Sequence, residues 1–491
     1  MATPIDVVIM AAGKGTRMKS ALPKVLHRLG GSALLSHVLQ RAAELSARQA
    51  VVITGHGADA VEAALAGSPL DLPLQCVRQE PQLGTGHAVQ QALPQLTDDG
   101  VTLILSGDVP LTETATLQAL LALCDGRQLA LLTLALPEPS GYGRIVRAAP
   151  GGPVLAIVEH KDASSAQRAI TEIYSGIMAL PTRLLRQWLG RLDNKNSQSE
   201  YYLTDIVKFA VADGVPVAAH QITDAAQVAG VNSPAQLAEL ERSYQLRLAA
   251  ALMERGTRLA DPARLDVRGQ LSCGSDVEID VNCIFEGQVF LGDGVRVGAN
   301  CFIANARIDA GAVIKPFTHI DGETLGVQVG TGALVGPFAR LRPGAHLGAE
   351  VHIGNFVEVK NATLGRGAKA NHLAYLGDAT VGERVNFGAG SITANYDGAN
   401  KHHTVIEADV HVGSNCVLVA PVTLGAGGTI GGGSTITKNT PAGALSVARG
   451  KQVSVAKWTR PLKKPKPYLG AAKKRPQAVA ASAKAICTLS D

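Results

Sequence analysis

Residues 10–18, MAAGKGTRM, set Gly13 and Gly15 among Lys14 and Arg17, with Lys24 a few positions further on. Glycine-rich backbone after an apolar strand can turn its N–H groups toward an anion. At a helix N-terminus such groups hold phosphate, and the three cations strengthen the field. An ordinary strand-to-helix turn is the plainer reading. Two familiar phosphate loops fail on detail: GxGxxG needs glycine where Met18 stands, and a P-loop ends in GK followed by Ser or Thr. A second element, SGDVPL at 106–111, places Asp108 after the apolar run VTLIL. That is the carboxyl end of a strand, where open α/β sheets carry their chemistry. Taken alone, Asp108 reads equally well as a turn residue.

In the second half, RLRPGA, GNFVEVKNA, ANHLAYLGD and NYDGANKHH fall between residues 340 and 403 and break an otherwise repetitive pattern. Polar clusters on a repeat scaffold mark function more than fold. His372 has the side chain whose ordinary pKa, about 6.5, suits a proton acceptor near neutrality. A lone histidine there is otherwise a solvated turn residue. His346, His352, His402, His403 and His411 also admit a zinc reading.

The elements that must hold these residues have two different periods. Up to about residue 225, apolar runs (VVIM, VVITG, VTLIL, LALLTL) alternate with helical patterns at 33–46, 57–66 and 114–124. This alternation predicts an α/β doubly wound sheet. Residues 233–256 carry Leu237, Leu240, Tyr244, Leu248 and Leu252 at helical spacing, with Ser233 as N-cap, Pro234 in the first turn and Gly256 at the end. They predict a connecting helix between two independent cores. After Asp261 the period becomes six: Ile279, Phe285, Leu291, Val297 and Ile303, then further runs ending with Val412, Leu418, Leu424, Ile430 and Ile436. Many of these aliphatics precede glycine, so each unit is a short strand and a turn. Three units would close one coil of a parallel β-helix.

Hydrophobic residues are 46% and charged residues 18% of 491, which excludes a wholly disordered chain. The net charge of +5 is concentrated at one end. Residues 458–491 hold eight Lys and Arg against Asp491, a net of +7, and leave −2 for the rest. A basic Pro/Ala/Lys tail is expected to be a solvated, disordered extension rather than a nucleic-acid contact. Seven cysteines stand singly at 76, 124, 273, 283, 301, 416 and 487, without metal spacing, which suits free thiols in a reducing compartment. The N-terminus lacks a signal-peptide pattern, and no apolar stretch approaches about 18 residues. A cytoplasmic location without stable membrane insertion follows as the expectation.

MAAGKGTRM and LPKVLH (22–27) together resemble the signature of sugar-1-phosphate nucleotidyltransferases. The likeness continues through QEPQLGTGHA (79–88), SGDVPL, GYGRIV (141–146), VEHKD (158–162) and GVN (230–232). With the hexads added, residues 5 to about 460 resemble the bifunctional bacterial family that joins N-acetylglucosamine-1-phosphate uridylyltransferase to glucosamine-1-phosphate acetyltransferase. The resemblance implies an α/β doubly wound (Rossmann-like) nucleotidyltransferase domain followed by a left-handed parallel β-helix of hexapeptide repeats. It implies a nucleotidyltransferase domain at 1–232, a linker helix at 233–256, an acetyltransferase domain at 257–458 and a tail at 459–491.

The same resemblance assigns the residues. Met10, Ala11, Ala12 and Gly13 would enclose base and phosphates, with Lys24 on phosphate and Ser106 and Gly107 beside them. Gln79, Gly84 and Thr85 would select uracil. Asp108 and Asn232 would hold Mg²⁺, and Gly143 and Glu159 the sugar. Tyr174 stands in EIYSG where the family often has Asn, and its hydroxyl or backbone would take over a sugar contact. Acetyl transfer to an amine needs a base, an oxyanion donor and cations for the sugar phosphate. His372 would be the base, oriented by Glu358. Arg342, Lys360, Tyr375 and Lys401 would bind glucosamine 1-phosphate, and Asn386 its hydroxyls. Ala389, Asn395, Tyr396, Ser414, Gly432 and Arg449 would line the acetyl-CoA site, Gly432 replacing the family's usual Ala. UTP and acetyl-CoA are the implied co-substrates and a homotrimer the implied assembly. This pattern outweighs the zinc reading. The remaining alternative is a single-activity nucleotidyltransferase whose β-helix serves assembly or control; His372 and NYDGANK argue against it.

Overall fold

The alternating first half folds into one sheet because its apolar runs are long enough to be covered on both faces. The computed structural model describes residues 3–67 and 70–462. Its first nine-stranded sheet comprises β1 Ile5–Met10, β2 Gln49–Thr54, β3 Leu74–Arg78, β4 Val101–Ser106, β5 Leu129–Ala135, β6 Arg144–Arg147, β7 Val154–Val158, β8 Glu172–Pro181 and β9 Val217–Ile222. The order is β9-β5-β8-β4-β1-β2-β3, with β6 bridging β8 and β7. β1 runs parallel to β2 and β4, and β9 parallel to β5. β8 alone runs antiparallel between β4 and β5, with its register broken between Tyr174 and Met178. The connections leave β1 in opposite directions toward β2 and β4, which opens a crevice at their carboxyl ends. Met10 is in register with both Ile53 and Ser106, so the glycine loop and the Asp108 loop start together at this crevice.

Helices Leu34–Glu44, Ala58–Ala66 and Thr114–Cys124 lie where the period predicts them. The glycine loop corrects one expectation, because it does not open an α-helix. Thr16–Met18 is a single 3₁₀ turn between left-handed Gly15 (φ 56°) and Lys19 (φ 50°), and the first α-helix begins only at Leu34. Any phosphate there is held by loop N–H groups and side-chain cations, without a helix dipole.

The helix Pro234–Glu254 is capped by Ser233, whose hydroxyl accepts from Gln236 N. It belongs to both cores. Leu240 packs in a cluster with Met18, Leu29, Leu34, Leu111 and Val231, while Ala249 and Leu252 belong to the core of the β-helix. Its fully buried Gln245 donates to Val267 O (2.9 Å) and accepts from Val267 N (2.8 Å). An amide side chain thus closes the open edge of the first coil as another strand would.

Residues 257–448 coil into a left-handed parallel β-helix of two parallel sheets, eleven- and fourteen-stranded. One inner column reads Ile279, Val297, Ile314, Val335, Ile353, Ala370, Phe387, Val412 and Ile430, each in register with the next. The hexads mark this column and its two companions. Corners need positive φ, and at one corner Asn282, Asn300, Phe317, Phe338, Phe356 and Leu373 supply it with φ of 51–60°. Such residues pay a strain cost, offset here by stacking: Phe317 lies 5.0 Å from Phe338, and Phe338 5.4 Å from Phe356, centroid to centroid. The second compact unit starts at Arg449; its described residues, 449–462, are exposed and carry no helix or strand. The remainder of the expected tail, 463–491, lies outside the described residues.

Replacing Gln245 with Ala leaves the Val267 N–H and C=O buried without these partners. Unfolding of the chain should then cost about 2 kcal/mol less, or more, measured by denaturant melts.

Candidate active sites

A cavity of about 460 Å³ opens at the crevice. Its walls include Met10, Ala11, Ala12, Gly13 and Lys24 from the first loop and Ser106 and Asp108 from the second. Gln79, Gly84 and Thr85 close a third side. Gly107 lies just behind, its N–H donating to Met10 O at 2.9 Å. Gln79 spends its amide nitrogen on Gly84 O (2.9 Å) and His87 Nδ1 (3.2 Å), so its carbonyl oxygen remains for a donor on a ligand. Lys24 Nζ lies 2.5 Å from Asp108 Oδ2 and 3.1 Å from Asn232 Oδ1. Two oxygens from distant segments therefore converge on one positive charge. That arrangement suits a hard divalent cation as well as an ammonium.

Beside the cavity, the irregularity in β8 brings Gly176 (φ 89°) next to Ser106: a Cβ built on this glycine would sit 3.4 Å from Ser106 Oγ. Gly143 approaches Glu159 in the same way, its built Cβ 3.8 Å from both carboxylate oxygens. Glu159 accepts from Thr204 Oγ1 at 2.9 Å. Burial pushes its carboxyl above the ordinary carboxylate range, against that hydrogen bond, and Asp205, Asp162 and Glu200 push the same way. Tyr174 departs from its expected place. Its side chain is 8% exposed within the apolar cluster that contains Ile145, Ile157 and Met178, and its hydroxyl has no hydrogen-bond partner. The strand alternation turns the ring into the core. The Tyr174 backbone N–H donates to Gly143 O at 2.9 Å, and burial first, then the nearby Glu159 charge, push its phenol well above the usual range.

On the β-helix, three of the expected acetyl-CoA residues, Ala389, Ser414 and Gly432, fall on a straight column. Leu373 N donates to Asn355 O, Gly390 N to His372 O, Asn415 N to Ala389 O and Gly433 N to Ser414 O. Asn355, His372, Ala389, Ser414 and Gly432 thus occupy the same corner on successive coils. A methyl group added at Gly432 would meet Ser414 O at 3.4 Å, an ordinary contact, so this departure from Ala leaves the column intact.

Across the adjoining face lie Arg342, Glu358, Lys360, Tyr375 and Lys401. The Lys360 ammonium is held below its usual range by Lys401 first and by Arg342 next, with Asp378 opposing. Crowded cations of this kind form a cradle for an anion. Asn395 donates to Asp378 and, at 3.5 Å, to Tyr375 OH. Tyr396 is exposed on a tight loop, bridged to Lys401 and donating to Gly398 O.

The contact with His372 expected of Glu358 is made by another residue. Glu358 accepts from Arg342 Nη1 at 2.8 Å and faces Arg340 at 3.7 Å. His372 Nδ1 instead lies 2.8 Å from Asn355 Oδ1. With that oxygen accepting, Nδ1 carries the proton and Nε2 presents its lone pair. Asn386 sits on the other sheet, in register with Lys369 and His411. Arg449 belongs to the separate C-terminal unit. Two histidines of the zinc reading are otherwise engaged: His402 pairs with Asp397 at 2.7 Å and His403 with Thr380 at 2.9 Å. Among the described residues, no three His, Cys, Asp or Glu side chains form a metal-holding group.

Sequence reasoning missed Gln82, Glu200, Thr204, Asn355 and Asp378. Gln82 donates to Ala12 O at 2.6 Å and, with Glu200, lines the cavity. Gln82 lay inside a quoted motif, but SEYYLTD, which supplies Glu200 and Thr204, has no spacing that marks it. Asn355 and Asp378 also lay inside such motifs, GNFVEVKNA and ANHLAYLGD, but their contacts with His372 and Asn395 follow only from coil stacking.

The first site and sheet define a nucleotidyltransferase: residues 7–174 match the MobA-like NTP transferase domain. Over the whole chain, the Bifunctional protein GlmU of Polaromonas naphthalenivorans is 80% identical, covering 94% of this chain and 99% of that protein. Those of Paracidovorax citrulli and Nitrosospira multiformis are 73% and 56% identical, with the same coverage. The chain belongs to the bifunctional GlmU family.

Because Glu159 is protonated more readily folded than unfolded, stability from this group is full below its unfolded-state pKa. It is lost as pH rises through the folded-state value. Glu159→Gln should therefore raise the thermal midpoint of the nucleotidyltransferase domain at about pH 8 and change it little at about pH 4, followed by calorimetry.

Proposed function

We propose that the chain acetylates glucosamine 1-phosphate with acetyl-CoA at the β-helix and then transfers uridylyl from UTP to the N-acetylglucosamine 1-phosphate formed, releasing pyrophosphate. The observation that carries this reading is the pairing, on one chain, of the Lys24–Asp108–Asn232 convergence with the His372 column beside the Arg342, Lys360 and Lys401 cradle. A purely structural β-helix has no use for a crowded cation group next to an oriented imidazole.

In the first reaction the cradle holds the sugar phosphate. His372 Nε2 takes a proton as the amine nitrogen bonds to the thioester carbonyl carbon, and the C–S bond then breaks to release coenzyme A. The corner column Ala389, Ser414 and Gly432 runs alongside as the groove for that cofactor. In the second reaction a phosphate oxygen of the acetylated sugar bonds to the α-phosphorus of UTP as the bond to pyrophosphate breaks. The attacking oxygen is already anionic, so alignment and charge neutralisation take the place of a strong base. The carbonyl of Gln79 accepts the N–H of uracil, and Gly143 and Glu159 hold the sugar. Asp108 and Asn232 would hold Mg²⁺, which when bound neutralises charge on the phosphates; Lys24 is then available to a phosphate oxygen.

The exposed ladder Phe317, Phe338, Phe356 and Leu373 leads directly to His372. A second copy of this chain is its proposed cover, in a homotrimer whose neighbouring subunit completes the acetylation site. The free thiols of the six described cysteines suit the cytoplasm. Among the described residues no helix is long and apolar enough to cross a membrane, and neither nucleic acid nor membrane is proposed as a partner.

Two substitutions separate the activities. Asp108→Asn should cut uridylyl transfer by roughly 10²-fold or more and abolish Mg²⁺-dependent tightening of UTP binding in calorimetry, with acetylation retained. His372→Ala should cost acetylation roughly 10² to 10⁴ in turnover, with uridylyl transfer to the pre-acetylated substrate retained. Acetylation by the His372 variant close to the parent's would return the β-helix to a structural role.

A further inference from the structure

Arg144 is among the largest fully buried side chains of the protein, 1% exposed. Among the described residues no carboxylate pairs with it, and its Nε has no hydrogen-bond partner. Burial lowers its guanidinium pKa, and Arg168 adds a like charge nearby. A buried charge without a counter-ion is costly, so the fold must use it. Its two remaining bonds indicate how: Nη1 donates to Tyr142 O, and Nη2 donates to His160 Nδ1 at 3.4 Å. Tyr142 immediately precedes Gly143, and His160 immediately follows Glu159.

We propose that Arg144 is a positioning residue that clamps the Gly143 loop to the Glu159 loop and so sets the opening that receives the sugar of the nucleotidyl acceptor. The proposal rests on the reading of Gly143 and Glu159 as the sugar-holding pair. Three features favour a clamp over a simple packing role. The guanidinium fork is planar and reaches both loops at once, which neither a lysine nor an apolar residue can do. The approach of Gly143 to Glu159 is close, and the antiparallel ladder joining their strands, β6 to β7, ends with Arg144 opposite Val158, so the turns beyond it, at 141–143 and 159–160, are bridged by the Arg144 side chain. The third is the Glu159 carboxyl, whose hydrogen bond comes from Thr204 rather than from residues 141–143. The acceptor at His160 Nδ1 must be unprotonated, which places that ring's proton on Nε2.

Steady-state kinetics of the full chain with Arg144→Lys, Arg144→Gln, His160→Ala and Glu159→Gln, varying N-acetylglucosamine 1-phosphate and UTP separately, test the proposal. Loss of one charge-assisted bond should raise KM for the sugar phosphate by about tenfold in each Arg144 variant. The KM for UTP should change less than about twofold, as expected where no contact is removed. His160→Ala should have a smaller effect in the same direction, and none when added to Arg144→Gln. Acetylation by the same preparations reports that the chain remains folded. Arg144 variants that leave the sugar-phosphate KM unchanged while Glu159→Gln raises it would overturn the clamp and keep the sugar site. An unchanged KM in Glu159→Gln as well would overturn the sugar-site reading itself. An equal rise in both KM values would assign Arg144 to general packing and also reject the clamp.

Discussion

Parallel coils stacked in register impose the constraint on which the second half of this protein depends. Once Ile279 sits under Val297 and each later aliphatic under the next, every corner residue also falls on a column. Inner positions must be aliphatic and corner positions must tolerate positive φ. The outer positions are left for chemistry. His372, Ala389, Ser414 and Gly432 are far apart in sequence, yet the coil repeat alone lines them up. A rigid scaffold of this kind positions an imidazole at small entropic cost at the moment of reaction. The linker helix completes it, since Gln245 supplies the hydrogen bonds that an additional coil would have made.

In the first half the corresponding constraint is the reversal of strand order at β1. The glycine loop and the Asp108 loop leave adjacent strands at matched positions. Asn232, which follows the last strand, returns to the same point through the bond from Val231 N to Asp108 O. Electrostatics then shapes the site: oxygens from Asp108 and Asn232 converge on the Lys24 ammonium, and Glu159 is kept in a desolvated setting. The loop does without a helix dipole because Lys14 and Lys24 supply positive charge at the cavity wall.

Much of this was legible in the residues. Period six prescribed the β-helix, and the helices at 33–46 and 114–124 followed from apolar spacing. Local pattern could not reveal which face a residue would take in a strand with broken register, and so the burial of the Tyr174 ring beside Ile145 and Met178 was not legible. Spacing likewise cannot assign hydrogen bonds between coils. Glu358 was expected to orient His372, whereas the stacked Asn355 makes that contact and Glu358 is occupied by arginines. The linker helix was read as joining two cores, and Leu240 and Leu252 pack into different clusters along it.

Two independent chemical centres joined by a diffusing intermediate are the central claim, and mixing two disabled chains tests it most directly. Asp108→Asn chains and His372→Ala chains, each unable to complete the two-step synthesis, are combined with glucosamine 1-phosphate, acetyl-CoA, UTP and Mg²⁺. Formation of UDP-N-acetylglucosamine by the mixture, through free N-acetylglucosamine 1-phosphate visible by phosphorus NMR, is the predicted result. A mixture that yields none, although each chain retains its own half-reaction, would contradict the account.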